Sequence, residues 1–414
     1  MYASIGECQY VPNLAHSRRK TCKCIVSGKV LFSSLLTCGP KTPWLIPQAF
    51  NNLFLRVVTI NPQEGMLVSL SENFEKLSNA CGVAGREEEV RNLMIKLLKP
   101  YVDEIAVDKL ENVIAIKKGK KAAPKVMLAA HMDEVGLMVK TISKEGFLQF
   151  AKMGGIDDRI LLAQRVIVYT EKGALLGIIG SKPPHIQKEE ERKKVLAYDE
   201  LFIDVGAESR EDANAMGVKV GDVVGFDVKY ATIGKDTVIG KAFDDRIGCA
   251  VMVEVLKQLG KTDCTVFAVG TVQEELGLRG AATAAFGVDP DVGIALDVTV
   301  AGDVPGVREF DTTVKMGKGP TLTVSDSGLI THPKVLRLLL DTAEETKIAY
   351  QLETGLMGST DAARISLTKQ GVPSGTICIP ARYIHSPVGM LSLKDAKNSA
   401  KLAAAAIQKI QKYF

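Results

Sequence analysis

The stretch that decides the fold is KVMLAAHMDEVG, residues 125–136. Its core, Val126–Ala130, is a continuous apolar run, which is typical of a strand that a sheet buries on both faces. The run ends at His131, and Asp133 follows two residues later. In open parallel sheets, ligands bind beyond the carboxyl ends of the strands. The stretch therefore predicts a central parallel strand whose polar end faces a ligand site.

The same kind of segment returns along the chain and predicts further strands of one sheet. Apolar strand-like runs alternate with helical patterns after Lys241. The predicted strands are Thr265–Val272, Val292–Val298 and Pro373–Ile379. The predicted helices are Arg246–Leu259, Leu278–Phe286, Pro333–Thr346 and Leu393–Tyr413. This alternation predicts an α/β fold with a doubly wound, mainly parallel sheet.

Residues 137–236 differ from the sequence on either side of them. They contain short strand-like runs broken by Gly, Pro and charge clusters, and long helical patterns are absent. We therefore expect a separate, small β-rich domain inserted into the α/β domain. The α/β domain then consists of residues 66–136 and 237–414.

Residues 1–65 are set apart by their charge. They contain seven Lys/Arg and two Asp/Glu, a net charge of +5, whereas the rest of the chain carries 45 basic and 46 acidic residues, or −1. We expect an N-terminal extension that is disordered or that precedes the true translation start at Met66. A transit peptide would show an amphipathic helix, which is lacking here. Cys22 and Cys24 stand too close together for a zinc knuckle.

The composition excludes several classes of protein. Hydrophobic residues make up 46% of the chain, charged residues 24% and aromatic residues 6%. The balanced charge of the main body, residues 66–414, and the few aromatic residues of the chain argue against a nucleic-acid binder. No apolar run approaches the ~20 residues that span a membrane. The later cysteines occur singly, which favours reduced core residues and a cytoplasmic protein.

Candidate metal ligands stand at the ends of the predicted strands. The five candidates are His131, Asp244, Glu275, Asp297 and His385. Three of them have another explanation when taken alone: His131 as the start of a polar loop, and Asp244 and Glu275, in the acidic pairs Asp244-Asp245 and Glu274-Glu275, as helix N-terminal residues. Together, His and carboxylate ligands without cysteine indicate an open catalytic site with two divalent ions, as in two-metal hydrolases.

Neighbouring residues have the chemistry to support these ligands. If the strand persists, Asp133 points the same way as His131, so its carboxylate can bind the far ring nitrogen of that histidine. Adjacent side chains point in different directions, so one acid of Glu274-Glu275 can bind metal while the other faces substrate. Asp245 or Arg246 would contact the ligands without binding metal themselves.

The order of these motifs resembles the tetrahedral (TET) aminopeptidases, a group of dinuclear metallopeptidases that includes the glutamyl and deblocking aminopeptidases. The resemblance extends from Met66 to Phe414. The matching strings are AHMDEVG (130–136), AFDDR (242–246), TVQEELG (271–277), ALDVT (295–299), DVPG (303–306) and PARYIHS (380–386).

The resemblance implies a pair of zinc or cobalt ions with divided ligands. One ion would be bound by His131 and Asp297, and the other by Glu275 and His385. Asp244 would bridge the two ions.

The resemblance also implies a catalytic role for two acids that are not ligands. Glu274 would act as the base on a water activated by both metals, Asp133 would orient the site, and the peptide bond before Asp245 would be cis. The activity would be hydrolysis of the N-terminal peptide bond of short peptides. The insertion, residues 137–236, would be a small β-barrel or PDZ-like domain that builds dimers and then a dodecamer.

Two other functions stay open at this point. A glycoside hydrolase would use Glu274 and a second acid as an acid/base pair, although two histidines at strand ends have no role in that chemistry. A non-catalytic scaffold protein would bind metal without releasing amino acids. The motifs do not fix the preferred N-terminal residue, and Gly358–Asp361 either lines the substrate pocket or caps a helix.

Overall fold

The computed structural model describes residues 69–121, 123–355 and 358–414, together with the backbone of residues 20–26 and 29–36. Those two backbone segments pair as antiparallel strands, β1 (Lys20–Val26) and β2 (Lys29–Leu36). The sequence pattern does not predict this hairpin. The remainder of the extension, including the proposed start at Met66, lies outside the described residues.

The main body alternates strands and helices. Its helices are α1 (Leu70–Asn79), α2 (Glu88–Leu98), α3 (Glu189–Arg192), α4 (Arg210–Met216), α5 (Phe243–Leu259), α6 (Arg279–Val288), α7 (Pro333–Thr346), α8 (Asp361–Ser366) and α9 (Leu393–Lys409). Its strands are β3 (Glu104–Val107), β4 (Val113–Lys117), β5 (Lys125–His131), β6 (Gly136–Ile142), β7 (Leu148–Met153), β8 (Arg165–Thr170), β9 (Gly173–Gly180), β10 (Phe202–Asp204), β11 (Val223–Phe226), β12 (Ala231–Ile233), β13 (Thr237–Gly240), β14 (Thr265–Thr271), β15 (Val292–Val300), β16 (Thr321–Ser325), β17 (Gln351–Thr354), β18 (Ser374–Arg382) and β19 (Gly389–Ser392). Within the described ranges, no helix combines the length and apolarity needed to cross a bilayer.

One large mixed sheet forms the centre of the main body. Its strand order is β12-β13-β19-β18-β15-β5-β14-β4-β3, and β16 joins β18 from the side and pairs with β17. The neighbours β18, β15, β5 and β14 are parallel, as the sequence predicts. Antiparallel strands extend this centre on both sides, which the sequence does not predict.

Alternate residues of β5 pack into two different cores. Val126, Leu128 and Ala130 join the core that contains α5 and α9. Met127 and Ala129 join the smaller core of α6 and α8. Because side chains alternate across a strand, helices cover both faces of the sheet at this position. The strand is therefore enclosed on both faces up to His131, its last residue.

The predicted β-rich insertion is a closed six-stranded barrel. Strands β6 to β11 close in the order β10-β7-β6-β11-β8-β9, and they lie in the chain between β5 and β12. Leu137, Phe150, Val168 and Ile179 lie in its core. The barrel shares the main compact unit with the sheet.

The four cysteines of the main body are buried and unpaired. They are Cys81, Cys249, Cys264 and Cys378. This agrees with the expectation of reduced core cysteines. The expected cytoplasmic location stays a prediction.

Candidate active site

The candidate residues meet at the carboxyl edge of the parallel centre. His131 is the last residue of β5, and Glu274 and Glu275 follow β14. Asp297 lies within β15, which continues to Val300 because its pairing with β18 extends that far. His385 follows β18 in a left-handed conformation, with φ of 56°. Parallel strands place their carboxyl ends at one edge, so these side chains converge.

Asp244 stands between the two histidines. Its Oδ1 lies 2.9 Å from His131 Nε2, and its Oδ2 lies 3.4 Å from His385 Nε2. The peptide bond from Asp244 to Asp245 is cis, as the resemblance implies. Both residues have non-helical backbone angles at the start of α5. One carboxylate therefore spans the gap between two imidazoles.

Three groups of side chains bring their ligand atoms within 4.8 Å of one another. All five sequence-predicted ligands belong to these groups, and Glu274 joins them. The groups are His131 with Asp244 and Asp297, His131 with Glu274 and Glu275, and Asp244 with Glu275 and His385.

The two adjacent glutamates face different histidines. Glu274 Oε2 lies 3.9 Å from His131 Nε2, whereas Glu275 Oε2 lies 3.3 Å from His385 Nε2. This is the divergence expected for neighbouring side chains. The two acids can therefore perform different tasks in the same site.

Asp133 fastens the backbone of these glutamates. Its Oδ1 accepts the N–H of Glu274 at 2.9 Å, and its Oδ2 accepts the N–H of Glu275 at 3.1 Å. The contact with His131 that the sequence predicts is present but long, with Nδ1 3.4 Å from Oδ1. Asp133 is fully buried. Sequence reasoning missed the two backbone contacts, because they join segments 141 and 142 residues apart.

Asp245 and Arg246 lie behind the ligands. Asp245 accepts the backbone N–H of His131 at 3.2 Å and that of Gly248 at 2.9 Å. It thereby ties the end of β5 to the first turn of α5. Arg246 is fully buried and donates to the carbonyl of Leu77 at 2.6 Å.

A buried ion triad surrounds Glu134, the residue after Asp133. Lys241 Nζ lies 2.7 Å from Glu134 Oε1, and Arg246 Nη2 lies 3.0 Å from the same oxygen. All three side chains are buried. Lys241 also donates to the carbonyl of Ala80 at 2.8 Å. Sequence reasoning missed this triad, which joins three segments around the strand end.

Asp361 is a further buried acid beside the site. Its Oδ2 accepts a hydrogen bond from Thr271 Oγ1 at the end of β14, and its Oδ1 has no partner among the described residues. Thr360, the N-cap of α8, makes no side-chain capping bond. Asp361 therefore turns toward β14, and the capping alternative receives no support from its contacts.

Burial dominates the electrostatics of the site. It raises the pKa of Asp297 and of Glu274 well above the ordinary range, and that of Glu275 to about 8, where Asp244 adds repulsion. Burial also opposes the charge of Asp244, but the hydrogen bonds from His131 and His385 hold its pKa below the ordinary value. The hydrogen bond to Asp244 raises the pKa of His385 to about 9, despite partial burial. The four acids Asp244, Glu274, Glu275 and Asp297 thus share only two basic partners, His131 and His385.

The donor set fits divalent cations. Buried carboxylates are stable only when they are paired, hydrogen-bonded or bound to metal. Glu275 Oε1 is buried and has no hydrogen-bond partner among the described residues. A divalent cation is the largest local charge in such a site and reverses the pKa shifts that burial causes. Imidazole and carboxylate together suit zinc and related metals.

The barrel reaches the same site through two glycines that follow β7. A Cβ on Gly154 would lie 2.8 Å from Val135 Cγ1 and 3.3 Å from Glu275 Oε2. A Cβ on Gly155 would lie 3.1 Å from His385 Nδ1. Glycine therefore allows the barrel backbone to approach two of the candidate ligands closely.

Known proteins share both the sequence and this architecture. The family model described as M42 glutamyl aminopeptidase matches residues 111–402. The chain belongs to the M42 glutamyl aminopeptidase family. A putative aminopeptidase of Acetivibrio thermocellus is 46% identical over 333 residues, which cover 80% of this chain and 97% of the relative.

Solved structures of aminopeptidases agree with this family membership. An aminopeptidase from the archaeon Desulfurococcus kamchatkensis is 45% identical with a TM-score of 0.80, and the match covers 83% of this chain and 97% of that one. The TET1 peptidase of Pyrococcus horikoshii is 34% identical with a TM-score of 0.74, covering 81% and 98%. The chain is thus an aminopeptidase with a site for divalent metal ions.

The contacts of Asp133 predict the effect of Asp133→Asn. The amide of Asn presents an N–H group to one of the two backbone donors that the carboxylate accepts, so Glu274 and Glu275 lose their fixed position. Losing an outer-shell carboxylate of this kind costs about 10–100-fold in metal affinity or activity. We expect a loss of this size in aminopeptidase activity, measured beside the metal content of the purified enzyme.

The matched control is Asp291→Asn. Asp291 accepts the backbone N–H of Lys125 at the opposite end of β5, at 2.7 Å. The control is expected to retain full activity. Full activity in Asp133→Asn, or an equal loss in both variants, would contradict this role.

Proposed function

We propose that the site hydrolyses N-terminal peptide bonds with two divalent cations, zinc or cobalt. His131 and Asp297 would hold one cation, Glu275 and His385 the other, and Asp244 would bridge them. The position of the Asp244 carboxylate between the two histidines carries this assignment, because each of its oxygens faces a different imidazole. Bound cations would lower the pKa of a water molecule and stabilise the oxyanion of the substrate carbonyl.

Glu274 is the residue that moves the proton. Its carboxylate lies beside His131 at the same edge of the sheet, whereas that of Glu275 lies beside His385. It takes a proton from the attacking water and delivers it to the leaving amine. Asp133 holds the backbone on which this carboxylate depends.

Short peptides are the substrates that this proposal assigns. The family membership and the relatives named as aminopeptidases support it. The glycoside hydrolase alternative is not favoured, because it leaves His131 and His385 without a chemical role. A non-catalytic scaffold would not need the separate orientation of Glu274.

Replacement of Glu274 by Gln tests the assignment of the base. The amide keeps the size of the side chain but cannot take a proton, and general acid–base groups contribute about 10²–10⁴-fold. We expect kcat on an aminoacyl chromogenic amide to fall by that factor while the bound metal content is unchanged. Near-normal turnover in this variant would rule out Glu274 as the base.

Removal of metal separates the aminopeptidase from a glycosidase that works with two acids alone. A chelator is expected to abolish the release of amino acids, and refilling the stripped enzyme with zinc or cobalt to restore it. Parallel assays on aryl glycosides should show no turnover in either state. Activity on peptide amides that survives complete metal removal, verified by elemental analysis, would overturn the two-metal proposal.

The domain organisation supports an assembled enzyme. We assign residues 66–136 and 237–414 to a doubly wound catalytic domain and residues 137–236 to oligomerisation. The TET1 peptidase of Pyrococcus horikoshii can assemble into a tetrahedron or a large octahedral shell. On the barrel of this chain, Leu176 and Ile178 of β9 are 58% and 55% exposed. Such apolar exposure favours burial against a second copy, and we propose dimers that build a dodecamer.

The double variant Leu176→Lys, Ile178→Lys tests the role of the barrel in assembly. Two charged side chains on β9 are expected to reduce the mass of the particle, measured by light scattering after size exclusion. The control is Leu367→Lys, which places a charge on an exposed apolar position outside the barrel. A wild-type chain that runs as a monomer would refute the assembly, and an unchanged particle in the double variant would refute this interface.

A further inference from the structure

Glu87 is a buried acid outside the proposed set of ligands and catalytic residues. It stands directly before α2 and is only 5% exposed. Its Oε1 accepts the backbone N–H of Gly85 at 2.7 Å and that of Gln273 at 3.1 Å. Burial, together with the charge of Asp133, raises the pKa of Glu87 to about 7 against the opposing hydrogen bond from the N–H of Gly85. Burying a carboxylate is costly unless hydrogen bonds compensate for the lost water, and here two backbone N–H groups supply them.

The bond from Gln273 reaches the residue directly before Glu274. Gln273 has a φ of 53°, in the left-handed region that residues with a side chain adopt at a cost. A hydrogen bond on its N–H fixes the peptide plane that enters this strained residue. The direction of the next residue, Glu274, is set by that plane and by the φ and ψ of Gln273.

Two buried carboxylates therefore hold three successive backbone N–H groups. Glu87 accepts that of Gln273, and Asp133 accepts those of Glu274 and Glu275. The two acids come from different parts of the fold, Asp133 from the end of β5 and Glu87 from the start of α2. They fasten the segment on two sides, so that its backbone has little freedom to rotate.

We propose that Glu87 is a positioning residue for Glu274. The Glu87 carboxylate holds Gln273 in its left-handed conformation and thereby aims the Glu274 carboxylate at the reacting water. The proposal rests on the proposed function, in which Glu274 is the base. Glu87 itself exchanges no proton with the substrate and binds no metal.

The test compares Glu87→Ala with Glu87→Gln and Glu88→Ala in the full-length enzyme. Displacement of a catalytic group by about 1 Å costs about 10²-fold, so kcat of Glu87→Ala is expected to fall by that order with KM and metal content unchanged. Glu87→Gln keeps an oxygen that accepts both N–H groups and is expected to restore most of kcat. Glu88 is the exposed neighbour, and its variant should behave as the wild type.

A double-mutant cycle separates positioning from a general loss of structure. If Glu87 acts through the Glu274 carboxylate, Glu87→Ala is expected to cause no further loss of kcat in an enzyme that already carries Glu274→Gln. An additive loss would overturn the proposal, as would a normal kcat in Glu87→Ala or failure of Glu87→Gln to restore it. If Glu87→Ala does not fold, the test uses kcat of Glu87→Gln, measured on a variant whose thermal midpoint is unchanged. A near-normal kcat supports the proposal, and a large loss overturns it.

The same variants distinguish a failure of the proposed function from a failure of the positioning role. High activity in Glu274→Gln alone would show that the proposed function is wrong. An inactive Glu274→Gln beside a fully active Glu87→Ala would leave the proposed function standing and remove only the positioning role.

Discussion

Negative charge buried at one edge of a sheet is the constraint on which the rest of this structure depends. The parallel strands β5, β14 and β15 bring acids from distant parts of the chain to the same place. These carboxylates are largely buried, so each needs a hydrogen bond, a cation or a proton. The side chains of Lys241 and Arg246 both pair with Glu134, so their positive charge neutralises that acid before any other. The remaining acids face two histidines, and this imbalance is what makes the edge a site for divalent metal.

The buried acids divide into two kinds by what they contact. Asp244 and Glu275 direct oxygens at other ligand groups, whereas Asp133 and Asp245 accept backbone N–H groups. Asp297 does both, because its Oδ1 also accepts the N–H of Val298. The second kind fixes the backbone that carries the first. Residues that have a side chain yet adopt left-handed conformations occur at the same edge. Ala242, Gln273 and Tyr383 stand within two residues of a proposed ligand in the chain, and His385 is itself one. Such strain persists where the surrounding contacts determine the backbone fully, as they do at functional sites.

The sequence predicts the parts of this arrangement that depend on one segment at a time. The apolar run Val126–Ala130 with His131 after it predicts both a central strand and its polar end, and the structure has them. The strands β16 and β17 have five and four residues, too few to show a clear period, so this side branch of the sheet is not predicted. Glu87 meets Gln273 across 186 residues of chain, and Asp361 meets Thr271 across 90. No local pattern marks such partners, because their role exists only once the segments are packed together.

The backbone of the barrel lies directly against groups of the candidate site. A Cβ at residue 154 would crowd Val135 and Glu275, and one at residue 155 would crowd His385. Gly154 has a φ of 85°, so its conformation as well as its size favours glycine. Close-packed contacts of this kind transmit displacement, because protein interiors have few voids to absorb it. The end of β7 therefore cannot move toward the sheet without displacing groups that we assign to metal binding. An interface that fixes the barrel in an assembly would also fix one wall of the site, so the geometry for catalysis and the geometry for association constrain each other through these two residues.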